Sequence, residues 1–136
     1  MAKKKILIVE DDKMLCAIFE MFIRELDYEL VGISQSGNEA TKLIAINKPD
    51  VILMDIYIEG NITGIETAKL IYERYDIPVI FVTSDIKEET IKEAIYKNTY
   101  GFLMKPVYKS TLGVAIEFAY AKHLFDKSES ASKKKS

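Results

Sequence analysis

One cysteine, Cys16, and one histidine, His123, stand in a chain of 136 residues. A single thiol excludes an internal disulfide and suits a reducing cytoplasm. One Cys with one His also argues against a zinc site within the chain. Long apolar runs are missing too: nothing approaches the roughly 18 residues that would span a bilayer. Ile6-Leu7-Ile8-Val9, behind Lys3, Lys4 and Lys5, is too short for a secretory apolar region, and acids follow at once. No membrane association is expected. Positive charge is scarce where it would matter. Lys127, Lys133, Lys134 and Lys135 against Glu129 give the last ten residues +3, so a whole-chain charge of −2 leaves −5 on residues 1–126. An acidic body argues against nucleic acid as a direct ligand. The eight tyrosines are dispersed, without the interleaved basic pattern of a single-strand platform.

What remains is a globular composition, 49% apolar and 29% charged, long enough for one domain with a real core. Strand and helix patterns alternate. Ile6–Val9, Tyr28–Ile33, Val51–Met54, Val79–Val82 and Tyr100–Met104 read as strands. Helical spacing links Leu15, Phe19, Phe22, Ile23 and Leu26, then Ala40, Leu43, Ile44 and Ile46, then Ile65, Ala68, Leu70 and Ile71. Asp85 with Glu88 has capping-box spacing ahead of Ile91, Ala94 and Ile95. A last helix is expected from about Ser110 to Phe125. Five alternations with short connections predict an α/β domain over residues 1–126, a five-stranded parallel sheet with helices on both faces. Residues 127–136 lack apolar periodicity and are expected to be a disordered polar, basic tail.

The chemistry collects at strand ends. Asp55 closes the central run Val51-Ile52-Leu53-Met54, and Glu10, Asp11 and Asp12 follow the first strand. Thr83 and Ser84 follow the fourth strand, and Lys105 follows the fifth. In a parallel sheet these ends share one edge, where open α/β folds place their ligands. A like-charged pair about 4 Å apart costs roughly 4 kcal/mol at an effective dielectric of about 20. Such a cluster calls for a cation, and oxygen-only donors select a hard one such as Mg²⁺. With the Lys105 charge and the Thr83 hydroxyl, the set reads as phosphoryl transfer onto an aspartate. Asp12 is read as the cap of the first helix.

Four motifs in order carry a resemblance: Ile6-Leu7-Ile8-Val9-Glu10-Asp11-Asp12, Val51-Ile52-Leu53-Met54-Asp55, Val79-Ile80-Phe81-Val82-Thr83-Ser84 and Gly101-Phe102-Leu103-Met104-Lys105-Pro106. From Lys4 to about Phe125 the chain resembles the receiver domain of two-component response regulators. The resemblance implies a flavodoxin-like doubly wound sheet of order 2-1-3-4-5. It implies that Asp55 accepts a phosphoryl group from a sensor histidine kinase. Asp11 would bind Mg²⁺ directly, Glu10 mainly through water, and the Tyr57 backbone carbonyl would complete the ligands with Asp55. Thr83 and Lys105 would hold phosphoryl oxygens, and Phe102 would be the aromatic whose rotamer follows Thr83. The surface of the fourth helix, fifth strand and last helix would switch for partner binding, and catalysis would be limited to the domain's own phosphorylation and dephosphorylation. The chain departs from the common pattern at Glu59, where many receivers have proline, at Gly64, one position late, and at Thr63, which replaces an acid.

The last helix carries a second apolar stripe. Leu112, Ala115, Ile116 and Ala119 share the face that packs on the sheet, while Val114, Phe118, Ala121 and Phe125 fall nearly opposite. That outer stripe predicts a partner, another copy or an effector, through Val114, Phe118 and Phe125. His123 reads as a cation near a helix C-terminus. Two other classes answer to the same edge of acids. A haloacid-dehalogenase-type phosphatase needs a second aspartate two residues after the nucleophile, where this chain has Tyr57. A flavodoxin-like flavin protein needs a phosphate cradle after the first strand, where this chain has acids that would repel it.

Overall fold

The computed structural model describes residues 2–58, 60, 62–84 and 87–135, the last three by their backbone alone. The chain runs β1 (Lys5–Val9), α1 (Lys13–Glu25), β2 (Glu29–Ser34), α2 (Gly37–Ile46), β3 (Val51–Asp55), α3 (Gly64–Arg74), β4 (Val79–Thr83), α4 (Glu88–Ala94), β5 (Thr99–Met104) and α5 (Lys109–Lys135). All strand pairs are parallel, in the order β2-β1-β3-β4-β5. The expected doubly wound sheet is therefore the one observed.

Strand alternation explains the two-sided core. Leu7, Val9, Ile52, Met54, Val79 and Phe81 point to one face and pack against Ala40, Ile44, Ile65, Ala68, Ile71 and Ala94 of α2, α3 and α4. Their neighbours Ile6, Ile8, Val51, Leu53, Ile80 and Val82 point the other way, onto Phe19 and Ile23 of α1 and Leu112, Ile116 and Ala119 of α5. Continuous apolar runs are thus what a sheet covered on both faces requires. Each fully buried Leu, Ile, Val or Phe contributes roughly 1.5–3 kcal/mol.

Register then sets the edge. Val9 lies beside Met54, and Asp55 lies beside Val82. The next residue of β1, Glu10, is drawn level with Asp55, and its N–H donates to the Ser34 carbonyl at 2.8 Å. Thr83 pairs with Met104, so Lys105 leaves β5 at the same edge.

Several boundaries differ from the sequence-based expectation. Instead of a disordered tail from 127, α5 continues as helix to Lys135. No glycine or proline interrupts that stretch, and Ala, Lys, Glu and Ser are tolerated in a helix once it is nucleated by the packed part of α5. In α4 only Ala94 is buried; Ile91 and Ile95 are exposed. The seven-residue helix presents too short a face to the core for all three. Its N-cap is Lys87, with no side-chain cap; Asp85 of the expected capping box lies outside the described residues, as does Glu59. Ile46 and Leu70 are also exposed, off the inner stripes of their helices.

Gly64 is where the β3–α3 connection returns against the sheet. Its N–H donates to the Ile56 carbonyl at 2.7 Å, and a Cβ there would sit 1.9 Å from the Asp55 carbonyl oxygen. Thr63 and Glu66 fix the turn into α3 with a reciprocal capping box. Gly64→Ala is expected to destabilise the fold by about 3 kcal/mol in urea unfolding, because the clash is with backbone that cannot rotate away.

Candidate functional site

Four residues from three strand ends, Glu10, Asp11, Asp55 and Lys105, form the site. Glu10 leaves β1 buried, with 1% exposure, and Asp55 ends β3 with 7%. Asp11 is half-buried beside them, and one carboxylate oxygen from each of the three lies within 4.8 Å of the others. Asp12 points away and caps α1, accepting the Leu15 N–H at 3.1 Å, as its position predicts.

Lys105 holds the two buried acids together. Its Nζ donates to Asp55 Oδ2 at 3.0 Å and stands 3.0 Å from Glu10 Oε1. The other oxygens are met by backbone: Tyr57 N–H donates to Asp55 Oδ1 at 3.3 Å, and Asp12 N–H to Glu10 Oε2 at 3.1 Å. Glu10 Oε1 is different. It is buried, and the ammonium beside it balances its charge without closing a directed hydrogen bond.

The electrostatics follow from this crowding. Burial raises the Glu10 carboxyl above its ordinary range, and the nearby Asp55 charge adds to that; the Asp12 N–H and the Lys105 ammonium oppose it. For Lys105 burial is the largest single influence and favours the neutral amine. The carboxylates of Glu10 and Asp55 together outweigh it and keep the ammonium above the usual lysine value. Cys16 reports the same field from α1. Its Sγ lies 3.4 Å from the Glu10 carbonyl, and burial, then the acids Glu10, Asp12 and Asp11, push its thiol up to about 11.

Three carboxylates with one counter-charge form an under-neutralised group. Its donors are all oxygen, and Glu10 supplies a buried oxygen with an open bonding direction. This set fits a hard divalent cation, not a soft one.

The other predicted residues lie at graded distances. Thr83 closes β4, buried, and its carbonyl accepts the Lys105 N–H at 2.9 Å. Phe102 of β5 is half-buried, its ring 6.4 Å from that of Phe81 and tilted by 52°. Tyr57 follows β3 with an exposed side chain. Val114, Phe118 and Phe125 sit away from the acids, exposed on the outer face of α5.

Other contacts were harder to read in the sequence. Thr63-Gly64-Ile65-Glu66 has capping-box spacing, a signal present in the sequence itself. His123 had no such signal. It lies in mid-helix, not near an end, because α5 continues beyond it. It is buried, with Nε2 3.0 Å from Asp76 Oδ1 and its ring edge-on to Tyr100 at 5.4 Å.

The sheet order and the acid–lysine edge define an open, doubly wound α/β domain with its candidate ligand site beside the central strand. The sequence model of the response regulator receiver domain matches residues 6–117, and the chain belongs to that family. Transcriptional regulatory protein PdtaR of Mycobacterium tuberculosis is 29% identical over 119 residues, covering 88% of this chain and 58% of that protein. Transcriptional regulatory protein CitB of Klebsiella pneumoniae is 32% identical over 129 residues, 93% of this chain and 55% of that one. The chain thus spans little more than half the length of these curated relatives. Among solved structures, the signal receiver domain of a modulated diguanylate cyclase from Desulfovibrio desulfuricans G20 superposes with a TM-score of 0.84 at 34% identity, covering 90% of this chain and 97% of that one. Among the described residues no helix is long and apolar enough to cross a membrane.

The thiol offers a direct check on this field. At pH 8, native Cys16 should react with a thiol reagent about a hundredfold more slowly than the urea-unfolded chain from thiolate fraction alone, and more slowly still through burial. Stopped-flow or mass-resolved labelling measures the ratio.

Proposed function

We propose that this receiver domain is a phosphorylatable switch in which Asp55 accepts a phosphoryl group from the phosphohistidine of a sensor histidine kinase. The carrying observation is the Asp55 carboxylate itself. It is held between the Lys105 ammonium and the Tyr57 N–H, at the end of a buried strand, with two further acids beside it. Glu10, Asp11, Asp55 and the Tyr57 backbone carbonyl would hold Mg²⁺. When bound, that ion would neutralise the carboxylates and the oxygens of the incoming phosphoryl group.

The residues of the chain divide the remaining work. An Asp55 oxygen forms the new O–P bond as the donor's P–N bond breaks, and the electron pair leaves with the imidazole nitrogen. Lys105, already 3.0 Å from Asp55 Oδ2, shifts its ammonium to a phosphoryl oxygen and carries off part of the charge. The Thr83 hydroxyl donates to another phosphoryl oxygen. Phe102, packed by contact alone against Phe81, follows the movement of Thr83 and alters the surface of α4, β5 and α5. The setting of such a relay is the cytoplasm, and the output is delivered to a binding partner. The outer face of α5, with Val114, Phe118 and Phe125, is the partner surface. Catalysis extends only to the domain's own phosphorylation and dephosphorylation.

With acetyl phosphate and Mg²⁺, intact mass should rise by about 80 Da for one phosphoryl group. Asp55→Asn should abolish the label, and Lys105→Ala should slow it about a hundredfold. Labelling of Asp55→Asn at the wild-type rate would remove Asp55 as the acceptor.

Metal binding is measured separately. Mg²⁺ at about 100 times its dissociation constant should stabilise the fold by about 2.7 kcal/mol, raising the unfolding temperature. Asp11→Asn should lose most of that shift, which differential scanning calorimetry with and without the ion reads directly.

A further inference from the structure

A second cleft lies at the opposite edge of the sheet, where the strands begin. Pro49 and Asp50 lead into β3, and Ile77 and Pro78 lead into β4. With α5 they enclose about 380 Å³, within the range of small-molecule sites. The α5 wall is made by Tyr120, His123, Leu124 and Lys127. All four lie beyond residue 117, where the match to the receiver family ends. The cleft is thus completed by the part of α5 outside the matched stretch.

Charge gives the cleft its character. Lys48 enters from the α2–β3 loop, Arg74 from the end of α3 and Lys127 from α5. All three are exposed, and none makes an ion pair among the described residues. Lys48 rests over the Tyr75 ring, 6.0 Å from its centre. The two acids of the cleft are already engaged. Asp50 accepts the Lys5 N–H at 2.7 Å, and Asp76 Oδ1 stands 3.0 Å from His123 Nε2. Three cations against two acids leave a positive surplus before His123 is counted.

Helix dipoles do not account for all of it. A cation at a helix C-terminus offsets the dipole, which suits Arg74 in the last turn of α3 and Lys48 just past α2. Lys127 has no such role, because α5 continues beyond it to Lys135. It joins the other two from an element distant in sequence, and like charges brought together repel until an anion neutralises them.

The remaining walls fit a flat organic group. Tyr75 and Tyr120 line the cleft with half-buried rings, beside the buried Pro49, Ile77 and Pro78. Aromatic faces hold nucleobases by stacking, whatever the base.

We infer that this cleft binds an organic phosphate of mononucleotide size, its phosphate held by Lys48, Arg74 and Lys127 and its ring by Tyr75 and Tyr120. Arg74 brings the planar fork that meets a phosphate with two parallel N–H donors. The site lies at the far end of the strands from Asp55 and does not depend on phosphoryl transfer there.

Isothermal titration calorimetry of the full chain, with a chelator to exclude Mg²⁺, tests this with AMP, ribose 5-phosphate and adenosine. AMP should bind at one site per chain. The other two should each bind at least about tenfold more weakly, since each lacks one half of the contact. Arg74→Gln and Lys127→Gln should each weaken AMP about tenfold with unchanged circular dichroism spectra. Lys127→Gln should still take its phosphoryl label from acetyl phosphate at the parent rate, which separates the two sites. Amide NMR shifts on adding AMP should centre on Lys48, Tyr75 and Lys127, not on Glu10 and Asp55. No AMP binding at millimolar concentration, unchanged binding in both variants, or shifts centred on the acid edge would overturn the site. Ribose 5-phosphate or adenosine binding as tightly as AMP would overturn the ligand class.

Discussion

The contact on which the site depends is the bridge from Lys105 Nζ to Asp55 Oδ2 and Glu10 Oε1, 3.0 Å to each. Two nearly buried carboxylates this close repel. The ammonium offsets that repulsion while leaving the cluster short of full neutrality. Residual negative charge, one open Glu10 oxygen and a backbone-held Asp55 then make a place where a hard cation is at home. Breaking such a bridge by removing one partner strands a buried charge, which is why the three residues act as a unit.

That bridge is built by register. Glu10, Asp55 and Lys105 are separated by 45 and 50 residues in sequence; the first two are delivered by strands buried on both faces and Lys105 by the half-buried edge strand β5. A strand that slipped by one residue would turn its apolar set inside out, so the hydrophobic pattern holds the acids in line as strictly as any hydrogen bond. Gly64 extends the same constraint to the loop. By allowing α3 to begin against the Asp55 carbonyl, it lets the chain turn back without displacing Asp55. The thiol of Cys16, beside the Glu10 carbonyl, sits within the same field and records it without joining the donor set.

At the other end of the sheet, α5 ties the body together and also leads away from it. Its inner face packs Leu112, Ile116 and Ala119 onto the strands. Farther along, His123 meets Asp76 between α3 and β4, and Asp126 accepts from the Tyr100 hydroxyl of β5 at 2.7 Å. These contacts anchor the helix well past the stretch that covers the core. The outer face is thereby presented on a stiff element, joined through Tyr100 to the strand that also bears Phe102 and leads into Lys105. The acid edge and the helix surface thus both adjoin one strand, β5.

The amino-acid order alone carried the parallel α/β class, the inner faces of α1 and α5, the Asp12 cap and the residues of the acid edge. Its signals there are local: an apolar run bounded by an acid, or a period of four and three. Sequence also held the Thr63–Glu66 capping box in plain view. Tertiary structure decided what depends on distant partners. Which apolar residues of α4 are buried follows from how little of that short helix meets the core, so Ala94 is covered while Ile91 and Ile95 are not. His123 became a buried partner of Asp76 because the α3–β4 turn closes over α5, 47 residues away in sequence. The helix to Lys135 could not be read from a polar, aperiodic tail, since its order is inherited from the packed turns before it. The same holds for Glu10. Its sequence marks it as an acid after a strand, but its raised pKa and its open oxygen exist only because folding takes it out of water beside Asp55.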